Sequence, residues 1–135
     1  MLRAGQTFLL PKDQRLKEHS WIVVTDTDPH DGTSVCVSVT TWRAGCDETV
    51  ILEPGDHPFV AHRSVVYYQD TKKLSAALVE QLLELNKRKG NLTFTSGLHA
   101  NCTYKTLDRI KAGLLASTHI SKDIKKYCKE LWQPS

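Results

Sequence analysis

The chain has 135 residues, of which 40% are hydrophobic and 24% charged, and its formal net charge is +3. A chain of this length fills one hydrophobic core, so residues 1–135 are expected to form a single domain. The proportions are ordinary for a globular protein and exclude a largely disordered chain. No apolar run approaches the ~20 residues that cross a bilayer, so no membrane partner is expected.

The N-terminal residues and the cysteines indicate where the protein works. Residues 1–6 lack the basic start and the apolar run of a secretory signal, which predicts a cytoplasmic location. Cysteines are expected to stay reduced there. Cys36, Cys46, Cys102 and Cys128 form no CxxC pair of the kind that holds structural zinc. Neither a bound metal nor another cofactor is therefore expected.

The first half of the chain predicts short strands separated by turns. Val35, Val37 and Val39 alternate with smaller or polar residues, which places three valines on one face of a strand. About four further apolar or β-branched runs follow one another closely, as in a small antiparallel barrel or curled sheet. The barrel is expected within residues 1–70. The predicted strands cover residues 7–10, 21–25, 35–40, 49–52 and 64–68.

The second half of the chain changes to a helical period. Leu74, Leu78, Leu82 and Leu85 lie three or four residues apart, which predicts a helix whose leucine stripe packs on the barrel. The fold class is therefore mainly β, with C-terminal helices in residues 71–135. The first two predicted helices cover residues 74–89 and 107–115, and the third begins at Ser121 as N-cap and ends at Leu131. A C-cap is predicted at Gly90, and residues 91–101 are predicted to be a loop or a short extended piece.

The order of the predicted elements is similar to that of a known family. Gly5 precedes the first strand, Trp21 opens the second, the third ends in the hydroxyl residues Thr40 and Thr41, and helices come last. This order resembles the MazF/PemK toxins. Members of that family are intracellular endoribonucleases built on an SH3-like barrel, and they commonly act as dimers that an antitoxin neutralises. The resemblance implies an SH3-like barrel, RNA as substrate, a homodimer and an antitoxin partner.

Two residues near the end of the third strand fit the chemistry that the resemblance implies. The family hydroxyl at this place is matched by Thr40 or Thr41, and Arg43 follows two residues after Thr41. The family usually places an arginine-proline pair before the second strand, where this chain has Lys17-Glu18-His19-Ser20. Arg43 is the expected substitute for that arginine. Thr41 and Arg43 are therefore candidate catalytic residues.

The segment Pro54-Gly55-Asp56-His57-Pro58-Phe59-Val60-Ala61-His62 lies outside the family pattern. Its two prolines restrict the backbone, so His57 and His62 can be held in fixed directions. RNA cleavage by a 2′-hydroxyl needs a base, an acid and a cation, and these histidines with Arg43 or Arg63 could supply them. Asp56 could orient an imidazole. In the structural alternative, the imidazole bonds to the backbone and Asp56 caps the turn.

The predicted RNA contacts are Trp42, Arg63 and Tyr68, because aromatic rings stack on bases and arginine binds phosphate. Tyr67 and Tyr68 alternate across a strand, so only one of them can face the core. The predicted function is a metal-independent endoribonuclease of a toxin-antitoxin or defence system. The alternative is a non-catalytic SH3-like module that binds a protein partner or nucleic acid through Trp42, Tyr68 and the basic helix ends.

Overall fold

In the computed structural model, which describes residues 1–11, 18–88 and 101–133, five strands precede three helices. The expected class, mainly β with helices in the second half, is confirmed. None of the described helices combines the length and the apolar character needed to span a bilayer. The elements are β1 (Thr7–Pro11), β2 (Glu18–Val23), β3 (Thr33–Thr41), β4 (Ile51–Leu52), β5 (Ser64–Ser75), α1 (Ala76–Arg88), α2 (Tyr104–Ala116) and α3 (Lys122–Leu131).

The strands form one antiparallel sheet in the order β1-β2-β3-β5-β4. β3 is central, and Val39 lies between Ser20 of β2 and Val66 of β5. The pairing of β3 with β5 shifts between Cys36 and Ser38, and such a bulge bends a strand and increases its twist. The predicted small barrel is therefore present as a curled sheet, or half-barrel.

Each face of the sheet is covered by a different set of helices. Val35, Val37 and Val39 face one core together with Ile110 of α2 and Cys128 of α3, as the alternating valines predicted. The opposite face is covered by α1. Its core contains Phe8, Leu10, Trp21, Val23 and Cys36 from the strands and Ala76 and Val79 from α1.

The leucine stripe of α1 does not pack as predicted. Leu74 belongs to β5, where it pairs with Ser34, and the helix begins at Ala76 rather than at Leu74. The helix turns Ala76 and Val79 toward the sheet instead, so Leu78, Leu82 and Leu85 are 54%, 39% and 49% exposed. The predicted cap at Gly90 and the predicted loop, apart from residue 101, lie outside the described residues.

Tyr68 anchors α2 to the sheet. Its side chain is fully buried, and its hydroxyl donates a hydrogen bond of 2.8 Å to the Ile110 carbonyl. Gly113 makes this close approach possible, because a Cβ there would lie 2.4 Å from the tyrosine oxygen. Burial raises the pKa of the Tyr68 phenol. The predicted RNA contact at Tyr68 is therefore corrected, since this ring belongs to the core.

Candidate functional site

A groove of about 260 Å³ opens where β2 and β3 meet the start of β5. Of the four residues predicted to be catalytic, Thr41, Arg43 and His62 line the groove, and all three are exposed. The lining, called the phosphate groove below, consists of His19, Ser20, Val39, Thr40, Thr41, Arg43, Phe59, Ala61, His62 and Ser64.

Backbone pairing brings these distant parts of the chain together. Ser20 pairs with Val39, and Thr41 pairs with Ser64, so the three strands run side by side at this end of the sheet. The Trp42 N–H donates to the Arg63 carbonyl at 2.9 Å, which continues the contact beyond β3. The Ser64 hydroxyl donates to the His62 carbonyl at 2.8 Å. These bonds hold the backbone on both sides of the groove.

The groove is lined by one arginine and by hydroxyl groups. Arg43 is exposed and forms no ion pair within the described ranges, and His19 and His62 line the same depression. No aspartate or glutamate of the described residues lines it. Thr40 and Thr41 add hydroxyl donors. A cation and hydroxyl donors in a groove that no described carboxylate lines are suited to an anionic ligand, although Asp47 lines the adjoining depression together with Arg43.

His57 lies outside the groove and has a structural role. Its side chain is 3% exposed, its Nδ1 accepts the Phe59 N–H at 3.2 Å, and its Nε2 lies 3.4 Å from the Thr7 hydroxyl. The rings of His57 and Phe59 are 4.2 Å apart. A group enclosed in this way cannot touch a substrate, so His57 is removed from the candidate catalytic set.

Asp56 and Arg63 are held by partners outside the groove. Asp56 Oδ2 accepts the Glu53 N–H at 2.7 Å and lies 3.6 Å from the Arg109 guanidinium, so Asp56 caps its turn rather than orienting an imidazole. Gly55 takes a φ of 105° in this turn, a conformation that favours glycine. Arg63 Nε donates to Glu53 Oε1 at 2.6 Å. The Arg63 guanidinium, which was predicted to contact RNA, is therefore paired with the carboxylate of Glu53.

The aromatic residues near the groove differ in their exposure. Tyr67, which pairs with Ser38, is 37% exposed, whereas Tyr68 is enclosed. Trp42 is half-buried and does not line the groove, and its indole N–H is buried without a hydrogen-bond partner in the described part of the chain. Of these two tyrosines, only Tyr67 therefore reaches the protein surface.

Sequence reasoning missed His19 as a candidate site residue. The second strand was predicted to begin at Trp21, but β2 begins at Glu18 and so includes His19. His19 precedes Trp21 by two residues and therefore points to the same face of the sheet. Only the pairing of Ser20 with Val39 places this face beside Thr40 and Arg43.

The described residues contain no group of three or more histidine, cysteine, aspartate or glutamate side chains placed to hold a metal ion. Burial raises the pKa of Cys36 to about 12 and the pKa values of Cys102 and Cys128 to about 11. These three thiols are therefore protonated near neutral pH and are poor nucleophiles. Comparison with known proteins finds no family model that matches the chain and no curated sequence with significant similarity to it.

Proposed function

We propose that the chain is a MazF/PemK-like toxin that cleaves RNA without a metal ion. One observation carries the proposal: the phosphate groove holds His19, His62 and Arg43, and no described carboxylate lines it. In this proposal the protein acts in the cytoplasm as a homodimer and is neutralised by an antitoxin, as the resemblance of the element order implies.

Two imidazoles and a guanidinium are sufficient for cleavage by the 2′-hydroxyl. One of His19 and His62, in its neutral form, accepts the proton of the RNA 2′-hydroxyl as that oxygen bonds to phosphorus. The other, protonated, donates its proton to the 5′-oxygen as the phosphorus–oxygen bond breaks. The products are a 2′,3′-cyclic phosphate and a 5′-hydroxyl. No redox step or co-reactant is needed.

Arg43 and the threonine hydroxyls stabilise the phosphate. Negative charge accumulates on the non-bridging oxygens during the attack, and fixed donors that face this charge lower the barrier. Arg43 can donate two parallel hydrogen bonds to a phosphate. In this proposal Thr41, which ends β3 and lines the groove, donates a third from its hydroxyl. In this proposal Arg43 supplies the positive charge that the arginine before the second strand supplies in the family.

The alternative is a non-catalytic module that binds a protein partner. It is favoured by the exposure of Leu78, Leu82 and Leu85 on α1. Their spacing of four and three residues forms one apolar stripe along a helix, which is a common docking surface for another helix. This alternative predicts partner binding without RNA cleavage.

A cleavage assay in a chelator tests the proposal. The purified chain is expected to cleave a single-stranded RNA in excess EDTA, because none of the proposed steps uses a metal. Arg43→Ala should lower the rate about 10²- to 10³-fold, the usual loss when one donor to a transition-state oxyanion is removed. Arg63→Ala is the matched control and should remain near wild type, because Arg63 is paired with Glu53.

Comparison of the two variants also excludes a contaminating nuclease. Both are purified in the same way, so a contaminant would cleave RNA equally in the two preparations. Intact RNA after prolonged incubation with folded protein would contradict the proposal. Equal cleavage by the wild type and Arg43→Ala would contradict it as well.

A further inference from the structure

Four lysines of α3 lie along one side of the helix. An α-helix turns by about 100° per residue, so these four side chains share an arc of roughly 100°. Three of them are exposed and one is half-buried. The phosphate groove includes none of them in its lining. We call them the lysine stripe, which consists of Lys122, Lys125, Lys126 and Lys129.

The other sides of α3 are turned toward the protein. Cys128 is fully buried in the core that the alternating valines also line. Asp123 and Glu130 are in line with Tyr127 along the helix, because three or four residues separate them. The Tyr127 hydroxyl donates to Asp28 Oδ2 at 3.0 Å, which directs this row of residues toward the loop between β2 and β3. Both carboxylates of α3 therefore lie outside the arc of the lysine stripe.

The charge of the lysine stripe is not neutralised within the described residues. None of its ammonium groups forms an ion pair there. By contrast, Lys72 Nζ lies 3.5 Å from Asp70 Oδ1. The formal net charge of the whole chain is +3, which is smaller than the charge of the stripe, so the remaining residues together are slightly acidic. The stripe is therefore a local concentration of charge in a chain that is otherwise not basic.

Helix stability alone does not explain the lysine stripe. Residues three or four positions apart are neighbours on a helix, and like charges at those spacings destabilise it. Every lysine of the stripe has two such neighbours within the stripe. The helix dipole favours a cation at the C-terminal end, which accounts for Lys129, but it disfavours one at Lys122, the first residue of α3. A bound polyanion would relieve both effects.

We propose that the lysine stripe binds the phosphate backbone of RNA without regard to base sequence. Lysine is a mobile point charge that pairs with phosphates, and neutralising a row of phosphates releases their counterions into the solvent. From Lys122 to Lys129 the stripe extends about 10 Å along the helix axis, so it can face more than one phosphate. The inference does not require the chain to cleave RNA, because the stripe and the phosphate groove share no residue.

The surroundings of the stripe favour nucleic acid over a protein or a membrane. Lysine is depleted in protein–protein interfaces, whose binding energy comes mainly from aromatic and arginine anchors. No aromatic or apolar residue of α3 lies within the arc of the stripe. A helix that lies on a membrane inserts its apolar face into the lipid, but the apolar face of α3 is already packed in the core through Cys128. Attraction by charge alone remains, and a phosphate backbone supplies closely spaced charges.

RNA binding at several salt concentrations tests the inference. The parent protein is His62→Ala, measured in EDTA so that the RNA stays intact, and the test variant replaces all four lysines of the stripe by glutamine. Glutamine has a helix propensity close to that of lysine, so α3 should still form, and thermal melts confirm it. For a labelled single-stranded RNA of about 20 nucleotides, the slope of log K against log salt should fall in magnitude by about 2 to 3, because each lost phosphate contact removes about 0.7.

Control variants separate the charge of the stripe from its chemical identity and its position. Replacing the four lysines by arginine keeps the charges, so this variant should bind RNA with nearly the slope of the parent. Among single substitutions, Lys126→Gln should lower the slope by about 0.7. Lys105→Gln is the matched control, because Lys105 is an exposed lysine of α2 outside the stripe, and it should leave the slope unchanged.

The outcomes distinguish this inference from the proposed function. An unchanged slope in the folded glutamine variant would overturn the inference even if the wild type cleaves RNA. The expected loss of slope, equal for two RNAs of unrelated sequence, would support it even if the wild type leaves RNA intact. A loss confined to one of the two sequences would contradict a backbone contact. Lysine-dependent binding to phosphatidylserine vesicles without binding to RNA would assign the stripe to a membrane surface instead.

Discussion

Replacing His62 or His19 by alanine is expected to lower RNA cleavage about 10²- to 10⁴-fold, the usual contribution of one acid or base group. Both imidazoles line the phosphate groove, and in the proposed mechanism one accepts a proton and the other donates one. Cleavage rates of the purified variants on one RNA measure the loss. Since His62 is exposed, its replacement should leave the thermal melt nearly unchanged.

The pH profile gives a second measure of the same two groups. Cleavage that needs one neutral and one protonated imidazole has a bell-shaped dependence on pH, and removing either group removes one limb of the bell. His119→Ala is a suitable control, because His119 is exposed and lies outside the groove, between α2 and α3. A His62→Ala variant as active as His119→Ala would exclude His62 from the chemistry.

Replacing His57 by alanine is expected to act on stability rather than on cleavage. The variant removes the Nδ1 atom that accepts the part-buried Phe59 N–H and the buried ring that contacts Phe59, so the free energy of unfolding should fall by about 1–3 kcal/mol. Denaturant or thermal unfolding measures this change. Below the transition, the folded variant should cleave RNA far faster than His62→Ala.

A conservative replacement tests the reason for that instability. His57→Asn retains a side-chain acceptor near the Phe59 N–H and should recover part of the lost stability, which His57→Ala cannot do. If His57→Ala instead melted like the wild type and had lost cleavage, His57 would have a catalytic role despite its burial.

The different burial of His57 and His62 shows where sequence reasoning reaches its limit. The prolines of the segment indicated a turn, and both His62 and Arg43, which were named as candidates, line the groove. Whether His57 points inward depends on Thr7, which is fifty residues away in sequence. A contact over that separation leaves no local pattern of residues. The sequence therefore allowed both a catalytic and a structural interpretation of His57, and it could not decide between them.

The strands show the same division between local and long-range information. Alternation predicted that Val35, Val37 and Val39 share a face and that only one of Tyr67 and Tyr68 is buried. Which tyrosine faces inward is decided by the pairing of β3 with β5, and the bulge in that pairing is not visible in the sequence. The same pairing assembles the phosphate groove.

On α1, the leucine period identified a helix but not the face that packs. Leucines 78, 82 and 85 form one stripe, and the smaller Ala76 and Val79 lie on another. The second set meets the sheet because β5 runs on to Ser75 and fixes where the helix begins and which way it faces. Periodicity alone could not supply that starting point.

The most direct test of RNA cleavage in the phosphate groove uses one missing oxygen atom. The bond that the protein cuts is mapped in a single-stranded RNA, and the nucleotide on the 5′ side of that bond is then replaced by its 2′-deoxy form, with all other nucleotides unchanged. Cleavage at that bond should be lost, and the unmodified RNA should yield a 2′,3′-cyclic phosphate, because the 2′-hydroxyl is the attacking group. Cleavage of the deoxy substrate at the same bond and at the same rate would contradict the mechanism proposed for His19, His62 and Arg43.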